Sequence, residues 1–309
     1  MDTVPVSFVE STLCALGHKN IDKLKNLADN TLWKSCANRQ VTPYVLILTV
    51  DANNIIKCVF KKLIKFPGYE QSLNEFLSTE PRNHFIERVL ITPSCLIGSL
   101  PLSTNTTPLT ELKLDNLLKC IERRMAYQSS LKVLSISQAG QSFLELITRF
   151  YLTFPSYFPF ASIGLTYMGA ASEQFLEAQV TRNKALESVA LHGPWPQSTL
   201  TQIQTFVISS KFKSLEARDN GIKVQLPFKL IDEIVQKWLD SEYSNSEIEI
   251  SAFVTDFPTD MPSNYAIAAQ RSIYEDIYEV THENSKHCLT LSLSAIVPGL
   301  TTLNTYEKH

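Results

Sequence analysis

The stretch His282-Glu283-Asn284-Ser285-Lys286-His287 encloses a glutamate between two histidines, the residue types that a zinc-dependent hydrolase carries on one helix. Such histidines must stand four residues apart to share a helix face, with the glutamate beside them as general base. Here they stand five apart, so no metal site is expected. Ala139-Gly140-Gln141-Ser142-Phe143 offers a serine but does not complete the G-x-S-x-G turn that presents a nucleophile, because Leu144 stands where the second glycine is needed. Nine glycines in 309 residues leave little material for a loop that cradles phosphate. Cysteines at 14, 36, 58, 95, 120 and 288 form no close pair, which fits neither a zinc site nor a disulfide framework. Reduced, mostly buried thiols are expected instead. The chain therefore predicts no catalytic residue, no metal and no cofactor, and reads as a binding protein rather than an enzyme.

Bulk properties narrow the partners. An apolar fraction of 44% with 19% charged residues is ordinary for a globular protein. A formal net charge of −3 gives no electrostatic case for nucleic acid or an anionic membrane. Lys61, Lys62 and Lys65 read as a solvated face. The uncharged run from Phe150 to Ser172 contains Pro155 and Pro159, so an aromatic loop feeding a buried strand is expected, not a membrane span. The opening MDTVPVSFVE lacks the apolar core of a secretory signal, and a cytoplasmic or nuclear location is expected.

The elements that would position a binding surface come from a repeated pattern. Leu131-x-x-Leu134-x-Ile136 recurs as Phe160-x-x-Ile163-x-Leu165, Leu186-x-x-Val189-x-Leu191 and Phe212-x-x-Leu215-x-Ala217. Ile86-x-x-Val89-x-Ile91 is an earlier copy. A period in the twenties with one short strand per unit is the mark of stacked, leucine-rich-repeat-like α/β units. Amphipathic helices follow the strands: Thr199 to Ser209, with Ser198 as N-cap, and Lys229 to Leu239. Strand, helix and strand at this spacing predict parallel strands joined by right-handed crossovers. Before the repeats, Tyr44 to Val50 and Ile55 to Phe60 flank the turn cluster Asp51 to Asn54, predicting a β-hairpin near 44–60. A short helix is expected over 69–78, a surface loop over 101–109, and a helix from Thr110 to Met125. Ile248-x-Ile250 and Leu289-x-Leu291-x-Leu293 predict further strands, the terminal one near 288–294. The expected domain over 41–309 is thus an irregular leucine-rich-repeat-like parallel α/β arc, with units from about 85 to 254. A smooth horseshoe is not expected, because Ala139, Met168 and Pro194 replace the usual asparagine beyond each strand and only Asn220 fits.

Strand alternation then names a surface. Residues between the apolar positions point away from the helices. This places Val133, Ser135 and Ser137, then Ser162, Gly164 and Thr166, then Ser188, Ala190 and His192, then Ser214, Glu216 and Arg218 on one exposed sheet face. Ser162, Ser188, Ser214, His192, Glu216 and Arg218 are the candidate partner-binding residues.

Residues 1–40 differ in texture. Val4, Pro5, Phe8, Val9, Leu13, Leu16, Ile21, Leu24 and Trp33 keep helical spacings. This Val-Pro opening, spaced Leu/Ile and late Trp resemble a degenerate F-box. Ser7 stands where that motif usually has an acid, and Trp33 lies about two residues late. With Trp33-Lys34-Ser35-Cys36-Ala37, Gly193-Pro194-Trp195-Pro196-Gln197-Ser198 and the repeated units, the chain is similar to the lineage-expanded F-box-like proteins of nematodes. The resemblance implies an F-box-like helical module that docks on a Skp1-type adaptor of a cullin ubiquitin ligase through Val4, Pro5, Phe8, Leu13, Leu16, Ile21, Leu24 and Trp33. It also implies C-terminal repeats that select a substrate protein. The alternative is a repeat scaffold without a ligase role, whose N-terminal helices only cap the stack.

Overall fold

Tyr44 to Val50 is an apolar run rich in β-branched residues, and in the computed structural model it lies within strand β1, Thr42–Val50. The structure describes residues 42–50, 55–62, 70–79, 84–92, 106–126, 133–136, 141–154, 158–218, 221–240, 247–267, 275–281, 287–294, 297 and 299–307. The whole 1–40 segment, from Val4 and Pro5 to Trp33, lies outside these residues, as do Ser137, Asn220 and His282. The chain divides into two compact units, Met1–Ala161 and Ser162–His309.

In the first unit, β2 (Ile56–Lys62) returns antiparallel to β1 with Val50 opposite Ile56, which is the expected hairpin. Strand β3 (Glu70–Gln71) adds to β2, so the helix expected over 69–78 starts late, as α1 (Leu73–Ser78). Ser72 and Glu75 set its start through a capping box, with Ser72 N–H donating to the Glu75 carboxylate at 2.7 Å. On its other side β1 pairs in parallel with β4 (His84–Ile91), and β4 with β6 (Val133–Ile136). The expected 101–109 loop contributes Thr107–Pro108 as β5, a two-residue strand on β2.

Helix α2 (Glu111–Ala126) buries Leu114, Leu117, Leu118 and Ile121, as their spacing requires. Its Arg124 is only 4% exposed. The guanidinium donates to the Thr79 carbonyl at 2.9 Å, to Thr79 Oγ1 at 3.0 Å and to the His84 carbonyl at 3.2 Å. It also lies 4.4 Å from the centroid of the Phe76 ring. Phe76 in turn stacks on Phe60 at 3.9 Å. The aromatic loop expected from Phe150 is corrected at its start, because helix α3 (Gln141–Thr153) runs through Thr153; Phe150, Phe154, Phe158 and Phe160 then pack ring on ring. Among the described residues no helix is long and apolar enough to cross a membrane.

In the second unit, β7 (Ser162–Thr166), β8 (Ser188–His192), β9 (Ser214–Ala217) and β11 (Glu249–Thr255) lie side by side in parallel. Helices α4 (Ala170–Arg182), α5 (Leu200–Val207) and α6 (Phe228–Leu239) lie between them in the chain, and β10 (Leu226–Pro227) adds to β11. The second and third apolar residues of each triplet, such as Val189 and Leu191, are buried within the strand. The first ones, Phe160, Leu186 and Phe212, are buried but precede it. Residues i and i+3 have opposite parity in a strand, so the first could share their face only from outside it. Ser198 is not an N-cap: a 3₁₀ turn at Gln197–Thr199 absorbs it, and α5 begins after Thr199.

The expected parallel arc is corrected beyond β11. Strands β12 (Ala266–Ile267), β13 (Glu275–Thr281), β14 (His287–Ser294) and β15 (Leu300–Glu307) are all antiparallel, in the order β11-β15-β14-β13-β12. The fold is therefore mixed α/β with mixed sheets, because sequential strands joined by short connections pair antiparallel without a crossover helix. Gly299 starts the last of them at φ 81°. An added Cβ would stand 3.3 Å from the Val254 carbonyl, beside the 2.7 Å bond from Val254 N–H to the Gly299 carbonyl. Gly299→Ala is expected to cost about 1–2 kcal/mol in urea unfolding through left-handed strain alone. Val297→Ala, at a half-exposed neighbour, should stay within about 0.5 kcal/mol.

Candidate functional site

The serines expected to align do so. Ser162 pairs with Ser188 and Ser188 with Ser214 across neighbouring parallel strands. The row continues to Glu249 on β11 and Asn304 on β15. The next row runs Gly164, Ala190, Glu216, Ser251 and Thr302. In β8 and β9 alternate residues are fully buried and the intervening ones half-buried. One face of this sheet therefore meets the core, and the other is polar and accessible. The expected open face is corrected at β7, where Gly164 and Thr166 are also buried, and at Ser251 of β11, so both faces of the sheet are covered at these positions.

The six candidate residues share this face but not one cluster. Thr166 and His192 are register partners, which puts His192 two rows along the face from the serine row. Glu216 and Arg218 engage each other, with Arg218 Nε donating to Glu216 Oε1 at 2.9 Å. Neither side chain is therefore a free charge. The more pronounced relief is a depression of about 520 Å³ lined by Ser188, Lys213, Ser214, Glu247, Ile248, Glu249, Asn304 and Thr305. Lys213 Nζ is held by Glu187 at 2.8 Å. Thr305 Oγ1 accepts from Ile248 N–H at 2.8 Å, fixing the floor where β11 meets β15. Glu249 was within reach of sequence reasoning, since it lies between Ile248 and Ile250. Asn304 was not, because its strand carries few apolar residues.

A corner built on Gly193-Pro194-Trp195-Pro196-Gln197 holds the far ends of β7 and β8. Gly193 sits at φ 84°, a conformation that favours glycine. It turns the chain so that Trp195, fully buried, donates its indole N–H to the Leu165 carbonyl at 3.4 Å. The Trp195 carbonyl accepts from Lys223 N–H at 2.9 Å. Gln197 mimics a strand neighbour: its amide accepts from Gln225 N–H at 2.8 Å and donates to the Gln225 carbonyl at 3.1 Å. The motif's role in this fold is positional.

Among the described residues no group of three or more His, Cys, Asp or Glu side chains could hold a metal ion. Cys58 and Cys288 are buried thiols, and burial pushes the Cys58 thiol up to about 12. Comparison with known proteins returns nothing: no family model, no curated protein and no solved structure matches the chain.

Proposed function

We propose that this chain is a non-enzymatic protein-interaction module that recognises its partner with the polar sheet face of the 162–309 unit. The supporting observation is the row Ser162, Ser188, Ser214, Glu249 and Asn304, laid across five strands beside a depression large enough for side chains of another protein. Small hydroxyls over a rigid sheet let a second backbone approach closely, and the apolar packing is reserved for the opposite side. With the F-box-like residues of the first forty positions, the reading extends to a substrate-recognition adaptor of a cullin ubiquitin ligase. On this reading the ligase contact and the substrate contact are separate surfaces.

Tagged full-length chain, recovered at near-endogenous level and read by mass spectrometry, tests it. A Skp1-type protein is expected with the wild type and is expected to be lost from a Pro5→Asp, Phe8→Asp, Leu16→Asp variant. The partner of the sheet face should remain with that variant. Absence of the Skp1-type protein from the wild type would remove the ligase role and leave a plain binding scaffold.

A further inference from the structure

Charge on the sheet face is unevenly compensated. Arg218 is occupied by Glu216 at 2.9 Å, and Lys213 by Glu187 at 2.8 Å. Glu247 and Glu249, both exposed on the wall of the depression, have no ion-pair partner among the described residues. The neighbouring row is closed here, since Ser251 is only 5% exposed and lies outside the lining of the depression.

Resting on the reading above, we propose that the depression over Ser188, Ser214, Glu249 and Asn304 takes an arginine side chain from an extended segment of the partner protein. A guanidinium carries five donors in a planar fork and matches a carboxylate in two parallel bonds. Glu249 supplies that carboxylate, and Glu247 a second negative charge at the rim. The Ser188 and Ser214 hydroxyls and the Asn304 side-chain carbonyl accept the remaining N–H groups. A carboxylate-bearing segment would meet two unpaired negative charges and is repelled. A purely apolar segment would leave both glutamates desolvated and unpaired.

The test uses the full chain and a short synthetic peptide of alternating arginine and serine. Its control is the same peptide with citrulline, a neutral isostere, in place of arginine. Fluorescence anisotropy is expected to show the arginine peptide bound at least about tenfold more tightly than the citrulline peptide. The Glu247→Gln, Glu249→Gln variant should abolish that preference. Glu177→Gln with Glu233→Gln removes equal charge from exposed helix positions and should preserve it. Asn304→Lys, which places a cation in the depression, gives an independent loss if the double glutamine variant is unstable. Equal binding of the two peptides by the wild type, or equal weakening by both double variants, overturns the assignment. If Ser188→Arg with Ser214→Arg still abolishes recovery of the cellular partner, the face survives as the recognition surface and only its arginine specificity falls.

Discussion

Trp195→Ala is expected to lower the unfolding free energy by about 3–5 kcal/mol, as for other fully buried large-to-small aromatic changes. The indole fills the corner where β7 and β8 end, 5.3 Å from the Tyr167 ring, and its N–H holds the Leu165 carbonyl. Alanine removes both the volume and the donor. Trp195→Phe keeps most of the volume and should recover more than half of the loss. Guanidinium denaturation followed by far-UV circular dichroism reads both variants. Equal stability of wild type and Trp195→Ala would mean that the Gly193 corner is not what joins these strands.

The second large effect is expected at Arg124 in the first unit. Its guanidinium is shared among carbonyls of two chain segments, at Thr79 and at His84, so one side chain ties the end of α1 to the start of β4. Arg124→Met keeps the buried stem over Phe76 but withdraws every donor. Hydrogen bonds from charged donors contribute about 1.5–3 kcal/mol each, and orphaned buried acceptors add to the loss. A total of about 3 kcal/mol is expected. Arg124→Lys should recover little, because an ammonium cannot reproduce the planar fork that spans Thr79 and His84. Full rescue by lysine, read as an unchanged denaturation midpoint, would assign Arg124's role to charge rather than to geometry.

The strand-helix alternation from Ile86 to Ile250 was legible because core contacts fix residue parity. Val189 and Leu191, or Leu215 and Ala217, are apolar at a spacing of two because only one face of their strands meets the core. The serine row followed from the same alternation. In the C-terminal meander only β14, expected near 288–294, was legible, and β12, β13 and β15 escaped sequence reading for the opposite reason. Glu275-Asp-Ile-Tyr-Glu-Val-Thr281 and Leu300-Thr-Thr-Leu-Asn-Thr305 have few apolar residues, and their pairing depends on neighbours supplied by the rest of the unit. Val280 and Leu303 show what that context adds, being fully buried amid polar sequence. Asn304 therefore joined the site only through register. Arg124 was invisible too, since an arginine near the end of an amphipathic helix ordinarily reads as a solvated charge.

Recognition through the polar sheet face is tested most directly by placing bulk on it without touching the core. Ser188→Arg with Ser214→Arg adds two long side chains at half-buried positions of the accessible face. Thr201→Arg adds one at an exposed position on α5. With quantitative mass spectrometry of co-purified proteins, the account predicts that the first variant loses the partner while Thr201→Arg retains it, both melting as the wild type does. Retention of the same partner in undiminished amount by the Ser188→Arg, Ser214→Arg chain would contradict it.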